Sequence, residues 1–144
     1  MTYAEIEDQC HAALEPLKAE GLKTLKSYGG EFSPDSFGLF PITFPALMYC
    51  VTGFENEVRG SLDVQDLEIE VYAAARDLRG EDEARQGAYA TTELARGKLN
   101  RLPIPGAGRL VLKRERIVGY SRQLNLCVMR AVYHLRAQQP AVTN

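Results

Sequence analysis

The run from Leu67 to Arg76, in which apolar residues stand at every second position, constrains the fold of this chain more than any other segment. Successive side chains of a strand point to opposite faces, so this spacing predicts a half-buried strand. Its apolar face consists of Leu67, Ile69, Val71, Ala73 and Ala75. A polar turn and an acidic helix start follow directly, through Tyr89. A strand that turns straight into a helix places the two side by side, so we expect a sheet with a helix packed on it.

Length and charge limit the classes of protein to which the chain can belong. Its 144 residues are typical of one domain with a substantial core, and we expect a single domain over 1–139 with a loose tail over 140–144. The net charge of −2 argues against a nucleic-acid binder driven by overall charge, although a local basic patch stays open.

The cysteine pattern argues against metal and disulfide frameworks. Cys10, Cys50 and Cys127 are odd in number and widely spaced, so we expect small buried apolar side chains in a reducing compartment. The chain does not open with a basic segment followed by an apolar run, so no signal peptide is expected. No apolar run is long enough for a bilayer.

The first third of the chain predicts a bent helix, a short strand and an ordered loop. Thr2 and Glu5 form a capping box that starts a helix over 3–19, and Pro16 should bend it near Glu15. Gly21 is a stop signal. Residues 22–28 are a short candidate strand. The irregular segment 29–45 is too apolar for a disordered linker, so we expect it to cover one edge of the core; its large apolar side chains are Phe32, Phe37, Leu39, Phe40 and Phe44.

The remaining two thirds predict strands interrupted by one long helix. The expected elements are a strand over 46–54, a polar excursion over 55–63, a strand over 64–76, a helix over 82–99, and strands over 109–118 and 123–136 joined by a turn over 119–122. The narrow inner stripe of the helix is Ala88, Thr92, Ala95 and Leu99. The order α-β-β-β-α-β-β predicts an α+β fold, with a mainly antiparallel sheet packed with two helices.

Signatures of enzyme chemistry are absent from the sequence. It contains no Gly-x-Ser-x-Gly elbow, phosphate-binding loop or dinucleotide fingerprint. Cys127 and His134 lie seven residues apart in one strand, which places them on opposite faces and more than about 20 Å apart; His134 is therefore interpreted as a surface or interface residue. His11 is expected to face solvent. The acidic cluster 81–83 is explained by its place in a helix's first turn. We predict no enzyme, no cofactor, and no catalytic, cofactor-binding or metal-binding residues.

Two groups of basic residues have alternative interpretations. One group lies on a candidate strand and consists of Lys113, Arg114 and Arg116. These residues form either a patch that faces nucleic acid or, as we favour, a charged face that protects an edge strand from pairing with other strands. A second group, Arg76, Arg79 and Arg85, gathers around the turn from strand to helix and suits an anion or an acidic neighbouring subunit.

Several segments together give the chain a family resemblance. They are Tyr3–Asp8, Leu25–Glu31, Phe44–Leu47, Leu78–Glu81, Arg85–Tyr89 and Leu99–Asn100. With these motifs the chain resembles, over nearly its whole length, the tail terminator family of Mu-like contractile-tailed phages and prophages. One departure is Thr91, Thr92 and Ala95, which stand where larger aliphatic residues are expected.

The resemblance implies an α+β structural protein at the head-proximal end of a phage or prophage tail. Such proteins form a hexameric ring on the last tube ring, stop polymerisation and present the surface that joins the head. The implied partners are further copies of itself, the tail tube protein and a head-completion or neck protein, without membrane or direct nucleic-acid recognition. The implied location is the virion tail, and the host cytoplasm during assembly. Another neck or baseplate component, or a small nucleic-acid-associated α+β enzyme, stays an alternative.

A closed ring requires two different complementary patches on each subunit. The charge pattern suggests one patch on the outer face of the alternating strand, formed by Glu68, Glu70, Tyr72 and Arg76. The basic group Lys113, Arg114 and Arg116 is the candidate for the other.

Overall fold

The computed structural model describes residues 2–33, 36–37 and 41–140. Within them the elements are α1 (Tyr3–Leu14), a 3-10 helix (Glu15–Glu20), β1 (Thr24–Ser27), β2 (Ala46–Arg59), β3 (Leu62–Arg76), α2 (Glu81–Leu99), β4 (Pro103–Ile104), β5 (Gly108–Ser121) and β6 (Leu126–Pro140). The six described strands form one sheet in the order β1-β2-β3-β6-β5-β4. Only the β1–β2 pair among these is parallel. The predicted α+β fold with a mainly antiparallel sheet is confirmed.

The first helix begins and ends where its sequence signals place it. The Thr2 hydroxyl accepts a hydrogen bond from the Glu5 amide at 3.2 Å, which satisfies one free donor of the first turn. The α-helix gives way to the 3-10 helix at Glu15, because Pro16 has no amide hydrogen for the ladder. Gly21 ends it in the left-handed region at φ +104°. The predicted change in the helix near Glu15 and its predicted end at Gly21 are confirmed.

The sheet buries both of its faces. On the helix-side face, Leu47, Ile69, Val71 and Tyr133 pack with residues of α1 and α2. The opposite face, called the outer face below, has a second cluster. Its sheet residues are Ala46, Met48, Ala74, Leu126 and Val128, and it is covered by Tyr28, Phe32, Phe37, Ile42 and Phe44. The described part of the loop therefore covers the core at the outer face of the sheet. Two of its predicted apolar residues, Leu39 and Phe40, lie outside the described residues.

The hairpin of β2 and β3 is longer than predicted. The expected polar excursion over 55–63 is wrong, because β2 continues to Arg59 and β3 starts at Leu62, with only Gly60 and Ser61 between them. Gly60 has φ +61°, a conformation that glycine adopts without a steric cost. The far end of this hairpin, residues 54–66, is called the arm below. On its other side β3 pairs with β6 along its whole length, from Leu62 to Arg76.

The turn between the last two strands lies three residues beyond its predicted place. The structure extends β5 through Ser121, and the turn spans Arg122 to Asn125, so the predicted turn over 119–122 is wrong. Asn125 has φ +48°, which asparagine tolerates better than most residues. Gly119 stays in the strand, where a Cβ would lie 2.8 Å from the Phe37 ring. The strand β6 includes Pro140, and the rest of the predicted tail, 141–144, lies outside the described residues.

Helix α2 packs closely on the sheet through small side chains. Its buried residues are Ala84, Ala88, Thr91, Thr92, Ala95 and Leu99, which include the whole predicted stripe. The backbone at Gly87 comes so near β3 that an added Cβ would lie 3.0 Å from the Ala75 methyl. Arg96 donates from Nε to Glu115 at 2.9 Å and so ties the helix to β5.

Both long outer strands are only partly covered at their edges. The short strand β1 pairs with β2 only over Ala46–Tyr49, and β4 pairs only with Gly108 and Arg109 of β5. Beyond these pairs, β2 to Arg59 and β5 to Ser121 have no strand partner on their outer sides among the described residues. Two backbone amides near these edges donate hydrogen bonds to side chains: Val51 to the Glu7 carboxylate and Leu112 to the Asn100 amide oxygen, each at 3.0 Å.

None of the helices in the described part of the chain combines the length and the apolar character that crossing a membrane requires.

Candidate interface surfaces

The predicted acidic patch of β3 lies on the outer face, as its alternation indicates, but much of it is covered. Tyr72 stacks on Tyr28 with ring centroids 4.0 Å apart, and its hydroxyl donates to Glu70 at 3.1 Å. Burial, reinforced by the Glu70 carboxylate, raises the pKa of the Tyr72 phenol. Tyr72 is therefore held mainly by contacts inside the subunit.

The two carboxylates of this patch face cationic or ionisable partners on the neighbouring strand β6. Glu70 is only 13% exposed and lies 3.6 Å from the Arg130 guanidinium. Glu68 lies 3.8 Å from Nε2 of His134. The other ring nitrogen of His134 is 3.1 Å from both carboxylate oxygens of Asp66. Much of the negative charge that the sequence assigns to an interface is thus met within one subunit. Whether these residues contact a neighbour stays a prediction.

The predicted basic patch lies on β5, separated from the acidic patch of β3 only by β6, and is open. In register Arg114 opposes Val132 and Arg116 opposes Arg130, so both arginines belong to the outer face. Lys113 is the extra residue of a bulge. All three basic side chains of the patch are exposed, and within the described residues none forms an ion pair. Like charges directly across a strand pair are unfavourable, so the Arg116–Arg130 pair favours an acidic neighbour.

The arginines near the strand-to-helix turn are mostly paired locally. Arg79 lies 2.7 Å from Asp77, and its hydrogen bonds lower the pKa of that carboxyl to about 2. Arg85 lies 2.7 Å from Asp82. Arg76 is exposed on the outer face beside Phe44 and Leu78. These local pairs leave less free charge at the turn than the sequence suggests.

The arm is a surface that the sequence interpretation did not identify. It carries four carboxylates, Glu55, Glu57, Asp63 and Asp66, against the single cation of Arg59. Three of its apolar side chains are also exposed, Val58 by 62%, Phe54 by 42% and Leu62 by 39%, whereas Val64 is buried. The signal that could have found it is Gly60-Ser61, a dipeptide that favours a two-residue hairpin turn.

A shallow groove borders the basic strand. Phe32 and Phe37 of the loop line one side, and Val118, Gly119 and Tyr120 of β5 line the other. Ile117, Val118 and Tyr120 are 37–42% exposed. The end of β5 therefore combines apolar side chains with the basic residues that precede them.

Within the described part of the chain, the cysteines and histidines do not assemble into a catalytic group. Burial raises the pKa of the Cys10 thiol to about 12. Cys127 is buried on the helix-side face, opposite to the face of His134. His11 faces solvent only in part: its side chain is 37% exposed, its Nδ1 lies 2.7 Å from the Tyr49 hydroxyl and its Nε2 lies 3.0 Å from Glu15. Among the described residues, no three His, Cys, Asp or Glu side chains converge closely enough for a metal ion.

Comparison with known proteins gives a likeness of fold. No family model matches the sequence, and no curated protein matches it. A chain from the virion of a native gene transfer agent (GTA) particle superposes with a TM-score of 0.53 at 12% sequence identity. The superposition covers 96% of this chain and 100% of that chain. At this identity the likeness shows a shared fold over nearly the whole length of both chains.

Proposed function

We propose that this chain is a structural protein of a phage-like particle, and that it caps the head-proximal end of a tail tube. The observation that carries the proposal is the fold shared, over 96% of this chain, with a chain of a GTA virion. The segments that resemble tail terminators point to the same class of particle independently. Its finer parts, the terminator role and the hexameric ring, rest on that resemblance.

The sheet architecture suits association in a ring. The unpaired edges of β2 and β5 lie at opposite sides of the sheet and differ in sequence. Association through two different surfaces is heterologous, and it closes into a ring when the rotation between copies allows. The proposed partners are neighbouring copies, the last tube ring below and a head-completion or neck protein above.

A non-enzymatic role agrees with where the polar side chains lie. The charged groups of the described residues are spread over faces and strand edges, and two little-exposed carboxylates are paired with arginines: Glu115 with Arg96 of α2, and Glu70 with Arg130 of β6. Cys10, Cys50 and Cys127 have raised pKa values, the opposite of what an activated thiol requires. The proposed location is the virion tail.

Electron microscopy of particles assembled without the protein tests the proposal. A terminator is not needed to build the tube, so tubes should still form, but they should be abnormally long or lack heads. Re-expression of the wild-type chain should restore length and head joining. Tails of normal length that still carry heads would contradict the proposal. A complete block of tube assembly would favour the baseplate alternative.

A further inference from the structure

We propose that the arm of one copy docks on the outer edge of β5 in the next copy, with the acidic arm facing the basic patch. This inference rests on the ring of the proposed function and identifies the two surfaces that would form it. The occupant of the basic edge is therefore a second copy of this chain.

The charges of the two surfaces are complementary. Glu55 and Glu57 project from the outer-face side of the arm and are exposed. The arm has one cation, Arg59, which lies 3.0 Å from Glu57 and leaves an acidic surplus. The β5 edge presents Lys113, Arg114 and Arg116, whereas Glu115 is taken up by Arg96 of α2. Each subunit thus presents an exposed acidic surface on the arm and an exposed basic surface on the β5 edge.

The acidic residues that charge pattern alone suggests, Glu68 and Glu70, are less accessible to a neighbour than those of the arm. Glu70 is largely buried beside Arg130, and Glu68 lies near His134 in the middle of the sheet. A neighbour could reach them only by displacing partners already in place. Glu57 pairs only with exposed Arg59 at the surface of the arm, and Glu55 forms no ion pair among the described residues, so we place the acidic side of the contact on the arm and not at the centre of β3.

Apolar side chains strengthen the match. Val58, on the face of the arm opposite to Glu55 and Glu57, is 62% exposed, and Ile117, Val118 and Tyr120 are exposed at the end of β5, beside the groove that Phe37 borders. Exposed apolar side chains framed by charge are typical of protein interfaces. The two surfaces lie on opposite sides of the sheet, so each copy can offer its arm to one neighbour and its β5 edge to the other.

Charge reversal tests the contact with the full chain in sedimentation equilibrium. The arm variant carries Glu55→Lys and Glu57→Lys, and the edge variant carries Arg114→Glu and Arg116→Glu. Each variant alone should associate at least about tenfold more weakly than the wild type, because its own arm and edge then repel. An equimolar mixture should regain association, since each reversed arm meets a reversed edge of the other variant.

Matched reversals on α2 control for a general effect of charge. Glu93 and Lys98 are exposed on α2, away from both surfaces, so Glu93→Lys and Lys98→Glu should leave association unchanged. Unaltered thermal unfolding of all four variants shows that the fold is intact. Association that survives both reversals, a mixture that stays as weak as its components, or a wild type that is monomeric at its highest soluble concentration would overturn the inference. The terminator role is tested separately, by the morphology of particles made without the protein. A sedimentation result that contradicts the arm contact therefore does not contradict the terminator role.

Discussion

At the scale of the residue, Val71 provides the sharpest test of the sheet. Its side chain is 2% exposed on the helix-side face. Val71→Asp would place a charge there without a partner, so we expect a loss of roughly 3 kcal/mol or more in the free energy of unfolding. For a domain of this size that lowers Tm by at least about 6 °C in calorimetry. Leu78→Asp, at a side chain that is 82% exposed, is the control. Equal Tm values for both variants would show that the facing of β3 is wrong.

The cysteines give a second residue-scale prediction. An ordinary thiol is partly ionised at pH 8, but burial raises the pKa of Cys10 to about 12 and that of Cys50 to about 11. A raised pKa means that the thiol keeps its proton, and only the thiolate attacks a disulfide reagent. At pH 8 the folded protein should react slowly, chiefly at half-buried Cys50, whereas guanidinium-unfolded protein should expose three fast thiols. Fast labelling of Cys10 in the folded state would contradict this.

For the side chains of β3, sequence alone predicted the face of the sheet to which each points, but not the residues that it contacts there. The alternation of β3 correctly placed Ile69 and Val71 on the buried face. It did not show that Glu70 meets Arg130 or that Tyr72 meets Tyr28, because those partners come from strands distant in sequence. The facing of a residue is a local property of the strand, whereas its partner depends on sheet register.

At the scale of the element, the contact of α2 with the sheet depends on small residues. Ala88 is fully buried, and Gly87 beside it allows the close approach to Ala75. Ala88→Leu should overfill this contact and cost about 1–3 kcal/mol in the free energy of unfolding. Ala90 is exposed on the same helix, so Ala90→Leu should change stability by less than about 0.5 kcal/mol. Chemical denaturation measures both, and equal losses would place the buried stripe on the wrong side of the helix.

Elements with one clear buried face were predictable, and those without one were not. Helix α2 and strand β3 have regular apolar spacing, and their predicted extents differ from the structure by one or two residues. In the arm the few apolar residues do not recur at every second position, so the hydrophobic pattern gives little sign of a strand there. Its β2 half pairs with its β3 half, and the β3 half also pairs with β6, across about seventy residues of sequence that local patterns do not reveal.

At the scale of the whole molecule, the open sheet connects fold and assembly. Long unpaired edges are a hazard for a protein that works alone, because other strands can add to them. Two different edges, one acidic and one basic, restrict such addition to a head-to-tail arrangement. Of the interface that we propose, sequence indicates only the basic side, Lys113, Arg114 and Arg116, whereas the choice of its acidic side depends on which carboxylates are already paired in the structure.

The assembled mass and its response to salt provide the last prediction. Six copies of a 16.0 kDa chain give about 96 kDa, which we expect as the limiting mass in sedimentation at high concentration and low salt. Raising the salt from about 0.1 M to about 1 M shortens the screening length from roughly 10 Å to roughly 3 Å, so a contact between exposed charges should weaken. The thermal stability of the subunit should change little, because its core is apolar and exposed ion pairs contribute little to folding. A mass that stays constant or rises with salt would show that the apolar residues, and not the charges, hold the copies together.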